Sequence, residues 1–133
     1  MASYVGVASE PFVPPQPGWL LPVLLEDDDL DWARYDGELA PAGRGLLEPV
    51  GPRLGVEAIA GCALVLVPAL LVDRRGNRLG KGGGSYDRAL ARCTGLTVAL
   101  LHDEELVDEV PHEDHDVPVH AVVTPSRGLV RLS

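Results

Sequence analysis

The chain has 133 residues, 46% of them apolar, with 20 acidic against 11 basic side chains and a formal charge of -9. That length predicts one domain with one moderate core, and the apolar share sets it apart from disordered chains. So acidic a balance excludes general nucleic-acid binding, which needs a basic face, and no apolar run reaches the roughly 18 residues of a membrane span.

The two cysteines, Cys62 and Cys93, form no CxxC pair and read as buried thiols of a reducing compartment. No basic-then-apolar leader opens the chain. The expectation is a soluble, cytoplasmic protein.

Tyr4 to Ala8 reads as a short strand. Pro11, Pro14, Pro15 and Pro17 then forbid regular structure. Trp19 to Leu25 and Leu30 to Tyr35 are strand candidates, joined by the acidic run Glu26-Asp27-Asp28-Asp29, which reads as a solvated turn with an acidic metal site as the alternative. Residues 37–55 are rich in Gly and Pro and read mostly as loop. Val56 to Gly61 closes a helical turn. Cys62 to Val67 is apolar without alternation, as in a strand buried on both faces, and Pro68 to Asp73 extends it. Ser85 caps a helix running to Cys93, with Ala89, Leu90 and Cys93 as its apolar stripe. Leu96 to Leu101 is another buried strand. Leu106 and Val107 fall in a helical turn. Val117 to Thr124 and Leu129 to Leu132 are the last strands, the final one at an edge. Strands separated by helical or irregular crossovers predict an α/β layered fold with a mostly parallel sheet and flanking helices. Ligands then bind beyond the carboxyl ends of the strands, where the glycines after Val72, His102-Asp103 and Thr124 share a rim.

The stretch Arg75-Gly76-Asn77-Arg78-Leu79-Gly80-Lys81-Gly82-Gly83-Gly84-Ser85-Tyr86-Asp87-Arg88 lies between the apolar strand and the helix. Glycines let the backbone approach a ligand, and a helix N-terminus adds unpaired N–H groups, so this order suits a phosphate. Arg75, Arg78, Lys81 and Arg88 concentrate four cations there. The loop is not a Walker A motif, because no Gly-Lys-[Ser/Thr] ends it. Asp87 is either a metal ligand or a carboxylate favoured by the helix dipole. His112, His115 and His120 match no zinc spacing.

The string from Gly76 to Arg88 resembles the signature loop of the 5-formyltetrahydrofolate cyclo-ligases, or methenyltetrahydrofolate synthetases. Leu20-Leu21-Pro22-Val23, Glu48-Pro49, Leu64 to Ala69, Val110-Pro111 through Asp116, and Val119 to Thr124 resemble further landmarks of that family. The resemblance is strongest over residues 19–133, within one domain of residues 1–133. It implies a Rossmann-like fold of the NagB/RpiA/CoA-transferase type. It also implies conversion of 5-formyltetrahydrofolate to 5,10-methenyltetrahydrofolate with ATP and magnesium. The formyl oxygen attacks the γ-phosphate and the neighbouring folate nitrogen closes the ring. Carried over by position, Arg78, Leu79, Gly80, Lys81, Gly82, Gly83, Gly84, Ser85 and Tyr86 would hold ATP, with Arg78 and Lys81 catalytic. Val5, Glu10 and Lys81 to Ser85 would border the folate. Asp87 and Asp116 would hold Mg2+, whose hard-oxygen preference suits them.

The chain also departs from the family pattern. No basic N-terminal helix precedes Tyr4, and the first Lys or Arg is Arg34. Ser85 stands where the family usually has tyrosine, and Lys81 where an aromatic or basic residue is usual. The expectation is a form lacking the N-terminal part: a short paralogue, a mis-started reading frame or a fragment. An uncovered sheet face would then invite oligomerisation. Rival readings are a non-catalytic nucleotide- or folate-binding module and a sugar-phosphate enzyme with the same phosphate cradle.

Overall fold

A computed structural model describes residues 1–6, 10–11, 13–43, 45–80, 84–113 and 116–132. The strands are β1 (Leu20–Leu24), β2 (Leu30–Arg34), β3 (Leu39–Pro41), β4 (Leu47–Pro49), β5 (Leu64–Val67), β6 (Leu71–Asp73) and β7 (Arg78–Leu79). After the helix α1 (Ser85–Arg92) come β8 (Leu96–Leu100), β9 (Leu106–Val107), β10 (Ala121–Thr124) and β11 (Gly128–Arg131). Two 3-10 turns, Val56–Gly61 and Asp103–Glu105, complete the described elements.

The main sheet runs β11-β10-β8-β5, with β5, β8 and β10 parallel and β11 antiparallel at the edge. Residues 1–3 extend it. Ala2 bridges in parallel to both Val65 of β5 and Leu20 of β1. Its N–H donates to the Leu64 carbonyl at 3.1 Å, and the Leu66 N–H donates back to the Ala2 carbonyl at 2.9 Å. On the other side, the Ser3 N–H donates to the Leu20 carbonyl and the Leu20 N–H to that of Met1. The antiparallel β1–β2 ladder thereby joins the same sheet. A parallel centre is flanked by an antiparallel strand at each end.

Alternation across this sheet separates two apolar clusters, because successive side chains of a strand point to opposite faces. Val65 and Val67 of β5 and Ala99 of β8 share the larger cluster with Trp32, Ile59, Ala89 and Leu90, under α1. Leu66, Val98 and Leu100 lie with Tyr4 and Ala121 in the smaller one. The runs around Leu64 and Leu96 lack polar alternation for this reason. Cys62 and Cys93 are unpaired thiols at the larger cluster, and burial pushes the Cys93 thiol up to about 11.

Several expectations need correction. The strand expected from Tyr4 instead pairs at Ala2; Tyr4, Val5 and Gly6 lie outside any strand, and Val7 and Ala8 lie outside the described residues. Pro68 ends β5, and β6 enters a separate β7-β6-β9 sheet. Leu106 and Val107 form β9, parallel to β6, after the 3-10 turn. Residues 37–55 are mostly loop as expected, with the short β3–β4 hairpin inside them. Ser85 does not cap α1; Gly84, in the left-handed region at φ 72, occupies that position. The flanking helices reduce to one α-helix among the described residues, so the fold is α/β with mixed sheets. No described helix is long and apolar enough to cross a membrane.

Candidate active site

A cavity of about 440 Å3 opens beyond the carboxyl end of β5, a volume suited to a small molecule. Pro68, Ala69 and Leu70 form its floor directly after that strand. Pro22, Leu24, Leu30, Leu46 and Leu47 give it an apolar wall drawn from β1, β2 and the β3–β4 hairpin. The polar part of the lining comes from Arg78, Ser85, Tyr86 and Asp87, joined by Leu79, Gly80, Gly84, Val5, Glu10 and Asp116.

The turn before Arg78 is built around the Asp73 carboxylate, which is buried. It accepts from the Arg75 and Asn77 N–H groups and the Asn77 amide, each at 3.0 Å, and from the Val110 N–H at 3.1 Å. Burial pushes this carboxyl up, but the four donors outweigh it and hold it below the ordinary carboxylate range. Gly76, at φ 91, is required because a Cβ there would lie 2.2 Å from the Val119 carbonyl oxygen. Turn and C-terminal segment are thus fixed to each other before the chain reaches Arg78.

The Arg78 side chain is only 6% exposed. Nη1 donates to the Pro68 carbonyl at 2.9 Å, and Nη2 lies 3.4 Å from Asp87. The guanidinium sits 5.9 Å from the centroid of the Tyr86 ring. Burial lowers the Arg78 pKa, opposed by the charge of Asp87. An arginine nonetheless stays protonated, so the site holds a buried cation with one loosely placed carboxylate.

Among the described residues, three buried side-chain polar atoms lack a hydrogen-bond partner: Trp32 Nε1, Arg78 Nε and the Tyr86 hydroxyl. Two of the three belong to cavity residues. Burial also raises the Tyr86 pKa far above that of an ordinary phenol, so its hydroxyl is a donor. Donors without acceptors beside a buried cation fit an anionic ligand such as phosphate. Asp87 and Asp116 supply hard oxygens of the kind magnesium takes. Glu113 N–H donates to Asp116 at 2.8 Å, which fixes one of its oxygens.

The model of the 5-formyltetrahydrofolate cyclo-ligase family matches residues 17–125. The chain belongs to that family. It is 47% identical over 121 residues to a 5-formyltetrahydrofolate cyclo-ligase of Mycolicibacterium smegmatis, covering 85% of this chain and 62% of that relative. This family member therefore spans less than two thirds of that relative's length. A solved structure of the Aquifex aeolicus 5,10-methenyltetrahydrofolate synthetase superposes with a TM-score of 0.74 at 26% identity, over 98% of this chain and 70% of that one. The Mycoplasma pneumoniae 5,10-methenyltetrahydrofolate synthetase matches with a TM-score of 0.65 at 18% identity, over 91% and 70%, and shares the fold.

Every described residue expected in the site lines the cavity: Val5, Glu10, Arg78, Leu79, Gly80, Gly84, Ser85, Tyr86, Asp87 and Asp116. Lys81, Gly82 and Gly83 lie outside the described residues. Of the three described loop cations, Arg75 and Arg88 do not join Arg78 at the cavity. Arg75 and Arg88 are exposed and absent from the lining, and Arg88 donates instead to the Asp27 carbonyl at 2.6 Å. The shared rim is also narrower than expected. Asp103 accepts from the Ser126 N–H and hydroxyl, tying the ends of β8 and β10 together away from the cavity lining. His112 and His120 engage different backbone groups, and no cluster of three or more metal-ligating side chains occurs among the described residues.

Sequence reading missed the apolar wall and Tyr4. The signal for the wall was present in the family landmarks: Pro22 lines the cavity, and Glu48 accepts the Leu24 N–H at 2.9 Å, tying the hairpin to β1. The Tyr4 hydroxyl donates to the Pro11 carbonyl, and burial, then Glu10, raises its pKa.

Proposed function

We propose that this chain converts 5-formyltetrahydrofolate and ATP to 5,10-methenyltetrahydrofolate, ADP and phosphate, with magnesium, as a cytoplasmic enzyme of one-carbon metabolism. The observation that carries the reading is the buried Arg78, whose Nε has no hydrogen-bond partner among the described residues, lining the same cavity as Tyr86, Asp87 and Asp116. Family membership and the 47% identical cyclo-ligase support the choice of substrate.

In this reading the apolar wall receives the folate ring system and the Arg78 side receives the triphosphate. Phosphoryl transfer asks a protein mainly for positioning and charge neutralisation. Arg78 orients the γ-phosphate and offsets its charge. The formyl oxygen attacks the γ-phosphorus, the bond to the bridging oxygen breaks, and ADP leaves. The folate N10 then adds to the activated formyl carbon and loses its proton. Phosphate departs with the electrons of its C–O bond, leaving the methenyl bridge. Magnesium, held by Asp87 and Asp116, would neutralise phosphate charge when bound. The apolar wall limits water, which would otherwise hydrolyse the acyl phosphate-like intermediate.

The test is the rise in absorbance as methenyltetrahydrofolate forms on mixing protein, ATP, magnesium and 5-formyltetrahydrofolate. No rise alongside intact ATP binding sinks catalysis and favours the binding-module reading. One observation favours that second reading: among the described lining residues a single arginine faces three carboxylates, Glu10, Asp87 and Asp116, a thin counter-charge for a triphosphate.

A further inference from the structure

The acidic turn Glu26 to Asp29 is solvated as expected at Glu26 and Asp27, which are exposed, but Asp29 is buried and the turn's backbone rests on α1. Three helix residues reach it. The Ser85 hydroxyl donates to the Asp28 carbonyl at 2.5 Å, Arg88 donates to the Asp27 carbonyl at 2.6 Å, and Arg92 donates two parallel bonds to the Asp29 carboxylate, both at 2.7 Å. Positions 85, 88 and 92 recur at helical spacing and make one stripe. The Asp29 and Arg92 side chains are only 13% and 22% exposed, so the pair is sheltered and bidentate, unlike a typical surface ion pair. Arg92, the largest cause, holds the Asp29 carboxyl below its ordinary range against the effect of burial. Asp28 is the single non-glycine residue with positive φ among those described, at 67°, and its carbonyl is the one Ser85 uses.

This turn connects the two walls of the cavity. Leu24 and Leu30, at its ends, are register partners and line the apolar wall. Tyr86 and Asp87 open α1 and line the polar wall. We infer that Asp29 and Arg92 are positioning residues: their ion pair braces α1 against the β1–β2 turn and sets the distance between Leu24–Leu30 and Tyr86–Asp87 for a ligand that spans both walls. The consequence for turnover rests on the proposed folate and ATP reading; the brace itself does not.

The test uses the 133-residue chain carrying fluorotyrosine, with its three tyrosines assigned by Tyr→Phe variants. In Asp29→Asn and in Arg92→Gln the Tyr86 fluorine resonance moves, while Tyr35, beyond the far end of β2, stays in place. In turnover the KM for 5-formyltetrahydrofolate rises several-fold, with kcat changing less. The double variant shows no larger a rise than either single one, because a pair acting as a unit is not additive. Arg92→Lys, which keeps one ion pair, restores part of both readouts and serves as the probe where Asp29→Asn does not fold. A wild-type protein without turnover defeats the folate reading and leaves the Tyr86 resonance to decide the brace. An unmoved Tyr86 resonance in a folded Asp29→Asn protein overturns it, as does equal movement of Tyr35.

Discussion

The Arg78 guanidinium lies over Gly80 so closely that a Cβ at position 80 would come 2.8 Å from Nη1 and 3.2 Å from Nη2. The glycine is needed for the arginine's side chain, not for its own backbone angles. Gly80→Ala therefore pushes the guanidinium off the Pro68 carbonyl while leaving the turn intact. ATP affinity, measured by calorimetry, falls about tenfold, or about 1.4 kcal/mol. The melting temperature moves little. Unchanged affinity would mean that Arg78 does not meet the phosphates.

Tyr86→Phe separates stability from function. The Tyr86 hydroxyl is buried without a hydrogen-bond partner among the described residues. Removing it relieves a desolvated donor and stabilises the fold, measured without added substrate, by on the order of 1 kcal/mol. Turnover falls about tenfold if that donor serves the substrate, which is on the order of 1.4 kcal/mol of transition-state binding. Thermal melts and the absorbance assay thus move in opposite directions. A lower melting temperature would show that the hydroxyl is already satisfied.

Asp87→Asn tests the metal assignment. The carboxylate is 45% exposed and only 3.4 Å from Arg78, so its contribution to folding is small. Magnesium-dependent turnover drops while ATP affinity without magnesium changes little. Equal loss of both would make Asp87 a support for Arg78 alone.

Asp73 gives the fold a pH dependence of known sign. Its folded pKa lies below the unfolded value of about 3.9. The unfolded chain therefore binds more protons between the two values, and stability rises with pH there. The contribution is fully present above the unfolded pKa and is lost as pH falls through the folded one. Asp73→Asn costs about 1–3 kcal/mol at neutral pH by leaving donors unmatched. Urea denaturation across acidic pH should show a shallower dependence in the variant. An identical pH profile would remove Asp73 from the acid response.

Much of this was readable in the chain. The unalternating runs at Leu64 to Val67 and Leu96 to Leu100 gave two central strands, since both their faces are buried. The glycine string and the helix that follows it led to the cavity. The unread parts are those decided by distant partners. Three residues at Met1 to Ser3 carry no strand signal of their own and pair only because β1 and β5 flank them. Asp29 reads as one more residue of a solvated acidic turn until Arg92, some sixty positions on, is brought beside it. Asp73 is one carboxylate among many by composition, and its role depends on donors as far away as Val110. Pro68 was the legible warning that β5 would not continue to Asp73.

The position of Ala2 between Leu20 and Val65 has a kinetic consequence. Its pairing with β5 closes a loop of about sixty residues, and loop-closure entropy must be met before such contacts stabilise anything. The β1–β2 ladder can form from local sequence, whereas the seam joining it to β5 cannot exist until residue 66 has been made. High contact order at that seam places the joining of the sheet's two halves late in folding. The cavity, whose walls come from both halves, is assembled last.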